Sequence, residues 1–224
     1  MKITTNNLQT CDADTAAGLI DFDQCLRQFA QHHPDQLALA DSLQQLTWAQ
    51  LDQQLNRVAN ALIGLGMEPN QRLAVLGRNS VEYVLLFLGG LRAGICITPL
   101  STLASSEALV GMIDDSGAKL LFVSPDYWHM IGPHSQLSQL LSNSDAQQPP
   151  EGVYYLESPG GSEDTPETLA SDQRQSLIDL IKNTSSDPVD LPISLDWEFN
   201  LIYSSGTTGL PKGILQSRRY RAHE

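Results

Sequence analysis

The sequence is poor in basic residues and has no long apolar run. Lys and Arg number 13 against 26 Asp and Glu, a formal charge of −13, and aromatic residues make up only 6% of the 224 residues. So large a negative charge opposes sequence-independent binding to nucleic-acid phosphates or to an anionic membrane. The longest apolar run, residues 83–91, is far shorter than the roughly 18 residues that a membrane-spanning helix needs. We therefore expect neither a nucleic-acid partner nor a transmembrane segment.

Cysteine is also scarce and scattered. Cys11, Cys25 and Cys96 lie far apart and have neither a CxxC spacing nor the histidine neighbours of a zinc site. We predict no metal site, and this odd, dispersed set is typical of a reducing compartment. The N-terminus, residues 1–7, lacks the basic, apolar and small-residue succession of a signal peptide. The expected location is the cytoplasm.

Apolar periodicity from residue 21 onward predicts an α/β fold. Short apolar runs of strand type alternate with helix-type repeats, which implies a mostly parallel sheet covered by helices. Residues 1–20 read as a flexible lead-in, and residues 21–224 as one unit with weakly defined linkers near 142–152 and 158–166. The predicted strands are 37–40, 72–76, 95–98, 119–123, 153–156 and 199–203, and the predicted helices begin near 22, 48, 80, 107, 137 and 169.

One segment, residues 203–213 with the sequence YSSGTTGLPKG, concentrates glycines, hydroxyl groups and a lysine directly after a predicted strand. Its glycines Gly206, Gly209 and Gly213 permit a positive φ and a close approach of backbone N–H groups to a ligand. The four hydroxyl side chains can donate hydrogen bonds to phosphate oxygens, and Lys212 supplies a compact positive charge. This composition predicts a polyanion-binding loop.

The spacing differs from that of a Walker loop, in which Ser or Thr and then a helix follow the lysine. Here Gly213, Ile214 and Leu215 follow Lys212, and we expect a strand-loop-strand hairpin. The alternative is a merely flexible surface turn. Ordinary hairpin turns need one or two glycines and no flanking lysine, which favours the phosphate site.

The segment SSGTTGLPKG resembles the signature loop of the adenylate-forming superfamily, which includes acyl-CoA synthetases, aryl-CoA ligases, peptide-synthetase adenylation domains and firefly luciferase. Residues 46–100 and 114–123 are similar to the opening part of these enzymes. The resemblance covers about residues 21–123 and 196–219, and it is greatest to an acyl-CoA synthetase. It implies the N-terminal part of the adenylate-forming fold, with the triphosphate contacts at Ser204, Ser205, Gly206, Thr207, Thr208, Gly209 and Lys212.

The resemblance also implies a reaction. A carboxylate of a fatty or aryl acid attacks the α-phosphorus of MgATP, pyrophosphate leaves, and the thiol of coenzyme A then opens the acyl-adenylate. The substrates would be ATP with Mg²⁺, a carboxylic acid and coenzyme A, and Gly206, Gly209 and Gly213 would be the hinges of a mobile loop. The fatty-acid reading places the chain in fatty acid metabolism.

Enzymes of this superfamily are about twice as long as this chain. By resemblance, the part after the signature loop holds the adenine pocket, a magnesium-binding acid, the ribose aspartate and a C-terminal domain with a catalytic lysine. We therefore expect no complete catalytic set here, and an inactive fragment that self-associates through apolar surface. The alternatives are a peptide-synthetase adenylation domain and a truncated, non-catalytic protein that binds a nucleotide or a partner.

Two charged groups have more than one interpretation. The basic tail Arg218, Arg219 and Arg221 could meet the phosphates of ATP or coenzyme A, but a solvated or frayed end is favoured. Asp114 and Asp115 could be paired carboxylates for acid-base chemistry. Adjacent helical residues point about 100° apart, so a solvated helix end is expected instead.

Overall fold

The computed structural model describes residues 21–131, 152–157, 175–204 and 211–222. Eight strands lie in this part of the chain, and most of the predicted positions are confirmed. In chain order they are β1 (Leu37–Ala40), β2 (Gln45–Thr47), β3 (Arg72–Leu76), β4 (Cys96–Pro99), β5 (Leu120–Val123), β6 (Gly152–Tyr155), β7 (Glu198–Ser204) and β8 (Lys212–Ser217).

Helices separate these strands, as the apolar periodicity predicts. A short 3-10 turn, Pro125–Tyr127, precedes the fifth helix. The helices are α1 (Phe22–His32), α2 (Trp48–Gly64), α3 (Val81–Arg92), α4 (Ser106–Ser116), α5 (Trp128–Ile131), α6 (Leu177–Ile181) and α7 (Arg218–Ala222).

The main sheet has six strands in the order β6-β5-β3-β4-β7-β8. The first five are parallel to their neighbours, and β8 pairs antiparallel with β7 at the edge. β1 and β2 form a separate antiparallel pair. The predicted class, a mostly parallel helix-covered sheet, is confirmed. β2 was not predicted because its three residues are too few for an alternating pattern.

Local side-chain chemistry fixes the helix ends. The Thr47 side chain accepts a hydrogen bond from the Gln50 N–H, and the Gln50 side chain accepts one from the Thr47 N–H, a capping box that starts α2. Ser80 caps α3. Gly117 ends α4 at a φ of 60°, in the left-handed region that favours glycine. These boundaries are the ones that the sequence predicts.

Two apolar clusters cover the two faces of the sheet. One joins β3 and β4 to α2 and α3 around Leu55 and Leu86, and the other joins the opposite face to α4 around Leu109 and Ile113. The helix predicted from residue 169 is described only from Leu177, where α6 begins. The helix predicted near 137, the lead-in 1–20 and most of the two linkers lie outside the described residues. The division into domains stays a prediction.

The cysteines differ in state. Cys25 is disulfide-bonded, a bond that the predicted reducing location does not favour. Cys96 is a free, buried thiol, and burial raises its pKa to about 12, so it behaves as a small apolar side chain. Across the described ranges, no helix has both the length and the apolarity to span a bilayer.

Candidate phosphate-binding site

The hairpin of β7 and β8 carries the Gly-rich segment, as the sequence predicts. Ser204 ends β7, Lys212 begins β8, and these two residues pair across the antiparallel ladder. Residues 205–210 connect them. β7 runs parallel to β4, so the loop leaves the sheet at the carboxyl ends of the parallel strands. Ligands of open α/β sheets bind at this edge.

Of the predicted phosphate contacts, the structure describes the two at the base of the loop. The Lys212 side chain is exposed, so its ammonium group faces solvent beside the loop. The Ser204 hydroxyl lies 3.5 Å from the Lys212 carbonyl oxygen, to which it donates a long hydrogen bond. Ser205, Gly206, Thr207, Thr208 and Gly209 lie outside the described residues, and the assignment of all these contacts stays a prediction.

Tyr203, one residue before the loop base, reaches across to α4. Its hydroxyl lies 2.7 Å from Asp115 Oδ2 and 3.1 Å from the Met112 carbonyl oxygen. Burial, followed by the hydrogen bond to Asp115, raises the pKa of Tyr203 above its usual range. Asp115 is exposed, as expected of a helix end, but its carboxylate has a specific partner. The sequence missed this contact because the residues lie 88 positions apart.

Gly213 has a different role from the predicted hinge. It lies inside β8, paired with Tyr203, and it is not among the described glycines with positive φ. A Cβ built there would lie 3.1 Å from Leu201 Cδ1, 3.3 Å from Tyr203 Cε1 and 3.6 Å from Asp115 Oδ2. The missing side chain therefore leaves room for the tyrosine ring, and the hinge expectation for Gly213 is wrong.

An ion pair anchors the other end of β7. Arg72 on β3 donates from Nε and Nη2 to the two carboxylate oxygens of Glu198, at 2.6 and 2.7 Å. This bidentate hydrogen bond raises the pKa of Arg72. A third bond, from Arg72 Nη1 to the Ser116 carbonyl at 2.9 Å, ties the same side chain to the end of α4. The start of β7 is thus fixed to the centre of the sheet.

The basic tail is neither frayed nor beside the loop. Ser217 pairs with Glu198, so the tail begins at the end of the hairpin opposite Lys212. Arg218 is half-buried and donates to the Leu91 carbonyl at 2.8 Å, and burial lowers its pKa. Arg219 pairs with Asp196 at 2.8 Å. The Arg221 guanidinium lies 5.6 Å from the Phe199 ring centroid. The frayed interpretation of this tail is wrong because all three arginines have partners within the fold, whereas the solvated one holds for the exposed Arg219 and Arg221. Contact with phosphates stays a prediction.

Within the described ranges, no group of three or more His, Cys, Asp or Glu side chains could hold a metal ion. The loop is distinguished in the sequence by its glycines, hydroxyls and single cation. The AMP-binding enzyme family matches residues 26–223.

The chain belongs to the AMP-binding enzyme family. Among curated members, it is 28% identical over 190 residues to the fatty acid–[acyl-carrier-protein] ligase ScoC of Streptomyces coeruleorubidus, covering 85% of this chain and 31% of that protein. It is 32% identical over 206 residues to long-chain fatty acid transport protein 1 of Bos taurus, covering 88% and 29%. This AMP-binding chain thus spans about a third of the length of these relatives.

Solved structures of the superfamily share the fold. The anthranilate CoA ligase AuaEII, in complex with anthranoyl-AMP, matches with a TM-score of 0.73 at 23% identity, over 90% of this chain and 35% of that one. The N-terminal domain of FACL13 from Mycobacterium tuberculosis matches with a TM-score of 0.70 at 24% identity, over 88% and 44%. The described fold is therefore that of the N-terminal domain of adenylate-forming enzymes, a family of ligases.

Proposed function

We propose that the chain forms the triphosphate-binding part of an enzyme that activates a carboxylic acid with ATP and then transfers the acyl group to coenzyme A. The β7–β8 hairpin carries this proposal. It presents the segment SSGTTGLPKG at the carboxyl edge of a parallel sheet, with the exposed Lys212 at its base. Glycine backbone, hydroxyl donors and one cation suit the β and γ phosphates of MgATP.

The chemistry needs these groups at a particular moment. A carboxylate oxygen of the acid bonds to the α-phosphorus while the bond to the bridging oxygen breaks, and pyrophosphate leaves with the bonding electrons. Negative charge grows on the departing pyrophosphate, which donors and a cation at the loop stabilise. The thiol sulfur of coenzyme A then bonds to the acyl carbon, the thiol proton is released, and AMP leaves.

The acid is a fatty or aryl acid in this proposal, which would place the enzyme in fatty acid metabolism. The names of ScoC and of AuaEII describe ligases for a fatty acid and for anthranilate. The name of ScoC, a fatty acid–[acyl-carrier-protein] ligase, favours a second acceptor, a carrier protein. Surfactin synthase subunit 1 of Bacillus subtilis is 28% identical over 202 residues, or 86% of this chain. A peptide-synthetase-type adenylation domain is therefore the alternative.

Lys212→Ala tests the site directly. A charge-assisted hydrogen bond is worth about 1.5–3 kcal/mol, so we expect MgATP to bind about 10- to 150-fold more weakly, with little change for AMP. Calorimetric titration measures both. Lys182→Ala removes the same charge from an exposed position at the end of α6 and should change neither. Equal losses for ATP and AMP, or equal losses in the two variants, would contradict the assignment.

The chain alone should not complete either half-reaction, because it spans only 31% and 29% of two curated relatives. A pyrophosphate exchange assay with MgATP and a panel of fatty, aryl and amino acids measures the first half-reaction. Measurable exchange would contradict the expected inactivity, and the preferred acid would then separate the acyl-CoA ligase from the peptide-synthetase alternative. Binding of MgATP without exchange fits either a fragment of an enzyme or a non-catalytic nucleotide-binding protein.

Two further proposals concern the chain as a whole. We propose that it self-associates, because Ile202, Ile214 and Leu215 at the hairpin edge are 39%, 50% and 48% exposed. We also retain a cytoplasmic location as a proposal. It is supported by the absence of a spanning helix from the described ranges, and the Cys25 disulfide opposes it.

A further inference from the structure

A polar contact joins the base of the candidate phosphate loop to α4. The Tyr203 hydroxyl has one hydrogen and two acceptors within reach, Asp115 Oδ2 at 2.7 Å and the Met112 carbonyl at 3.1 Å. The carboxylate is charged and closer, so it is the principal acceptor. The contact therefore couples the last turn of α4 to the residue that precedes Ser204.

Helix formation does not account for Asp115. The carboxylate lies in the last turn of α4, where the partial negative charge of the helix C-terminus disfavours an acid. In the described part of the chain, the Asp115 carboxylate accepts a hydrogen bond from Tyr203, which belongs to a different element. The hydrogen bond from the Tyr203 phenol thus explains why an acid occupies this position.

On the opposite strand, β8, a glycine leaves room for the same contact. Gly213 pairs with Tyr203, and a Cβ there would crowd Leu201 Cδ1 and the tyrosine ring, at 3.1 and 3.3 Å. It would lie in ordinary contact with the Asp115 carboxylate, at 3.6 Å. Gly213 directly follows Lys212, and Tyr203 directly precedes Ser204. The ring, the glycine and the carboxylate therefore lie together beneath the two residues from which the loop departs.

We infer that Tyr203 and Asp115 form a positioning pair that fixes the base of the loop against α4 and so sets where Lys212 and the loop donors meet the triphosphate. This inference rests on the proposed function. The pair acts through the hairpin and does not touch the ligand. Without the contact, the hairpin keeps its backbone ladder and the Arg72 bridge to α4, but it loses the hydrogen bond between Tyr203 and Asp115.

The experiment has two readouts in the 224-residue chain. Hydrogen exchange reports the mobility of residues 203–213, with or without nucleotide, and calorimetric titration with MgATP reports the function of the loop. Tyr203→Phe removes the donor and Asp115→Ala removes the acceptor of the same hydrogen bond. We expect faster exchange in this segment and about fivefold to tenfold weaker MgATP binding in each variant. The double variant should be no weaker than the weaker single variant, because one contact is lost.

Matched controls separate positioning from stability. Tyr127→Phe removes another phenol, the one that accepts a hydrogen bond from Arg78 Nε at 3.0 Å, and should leave both readouts unchanged. Exchange in β3 should stay slow in every variant. Unchanged exchange at residues 203–213, additive losses in the double variant, or faster exchange throughout the chain would each overturn the inference. If the wild-type chain binds no MgATP, the proposed function fails, while the exchange measurement still decides whether the pair holds the hairpin.

Discussion

The helical side of the molecule and its hairpin edge differ in how far their charged and apolar side chains are exposed. On the helical side, α1, α2 and α3 surround Arg92, whose side chain is 0% exposed and bonds Asp23 and Asp52 at 2.6 and 2.8 Å. At the hairpin edge, Ile214 and Leu215 remain about half exposed and Lys212 faces solvent. The first region pairs its buried cation with carboxylates of the same fold. The second leaves apolar and charged groups exposed to solvent.

Of the substitutions that test this contrast, Arg92→Ala should have the largest effect. The substitution removes the buried cation that Asp23, Asp52 and the Asn56 side chain share; the two carboxylates are 24% and 25% exposed. Removing one partner of a buried ion pair costs about 3–5 kcal/mol, and we expect the free energy of unfolding to fall by that amount. Denaturant titration followed by far-UV circular dichroism measures it.

Arg78→Ala is the matched control for this loss. Arg78 is 73% exposed at its side chain and lies 3.8 Å from Asp126, an arrangement that solvent screening leaves with little effect on stability. If the two arginine variants lost similar stability, the helical side would not be the rigid part of the molecule, and the contrast with the hairpin would disappear.

Ile214→Lys tests the exposed hairpin edge. β8 is an edge strand, and a lysine on an exposed edge opposes pairing with another chain. Sedimentation across a concentration series should show self-association of the wild-type chain and about fivefold to tenfold weaker association of the variant, the loss expected from one partly buried isoleucine. Ile63→Lys, at a site on α2 that is 40% exposed, should leave the association unchanged. A wild-type chain that stays monomeric would contradict the proposal.

Structural features that depend on residues close together in the chain could be predicted from the sequence. The cap at Thr47, the end of α4 at Gly117 and the strand-loop-strand hairpin each depend on neighbouring residues, and each is confirmed. The class of the sheet follows from the alternation of short strands and helices. Local chemistry thus predicts most of the fold.

Polar contacts between residues far apart in the chain could not be predicted from the sequence. Asp115 was interpreted as a solvated charge at a helix end, yet its partner Tyr203 lies 88 positions away in the chain. No prediction was made for Arg92, whose partner Asp23 lies 69 positions away. The family resemblance implied a hinge at Gly213, and only the paired strand shows that its missing side chain makes room for a ring. A single sequence has no periodic signal for such pairs.

The smallest expected effect is a pH dependence at the junction of the β1–β2 turn with α3. Asp41 accepts hydrogen bonds from the N–H groups of Val81, Leu43 and Gln44 at 3.0, 2.8 and 2.9 Å. These bonds, the one from Val81 above all, lower the pKa of Asp41. Since the folded value lies below the unfolded value of about 3.9, the carboxylate contributes stability above that pH and loses it as the pH falls through the folded pKa.

Asp41→Asn should therefore lower the free energy of unfolding at pH 7 by about 0.5–1 kcal/mol. It should also flatten the decline of that free energy between neutral and acidic pH, because the lost contribution no longer titrates. Denaturant titrations at a series of pH values measure both quantities, with Asp35→Asn as the control for loss of one exposed negative charge. If the variant kept the full wild-type decline, the loss of stability in acid would come from groups other than Asp41. The β1–β2 turn would then contribute nothing to the pH dependence of the helical side.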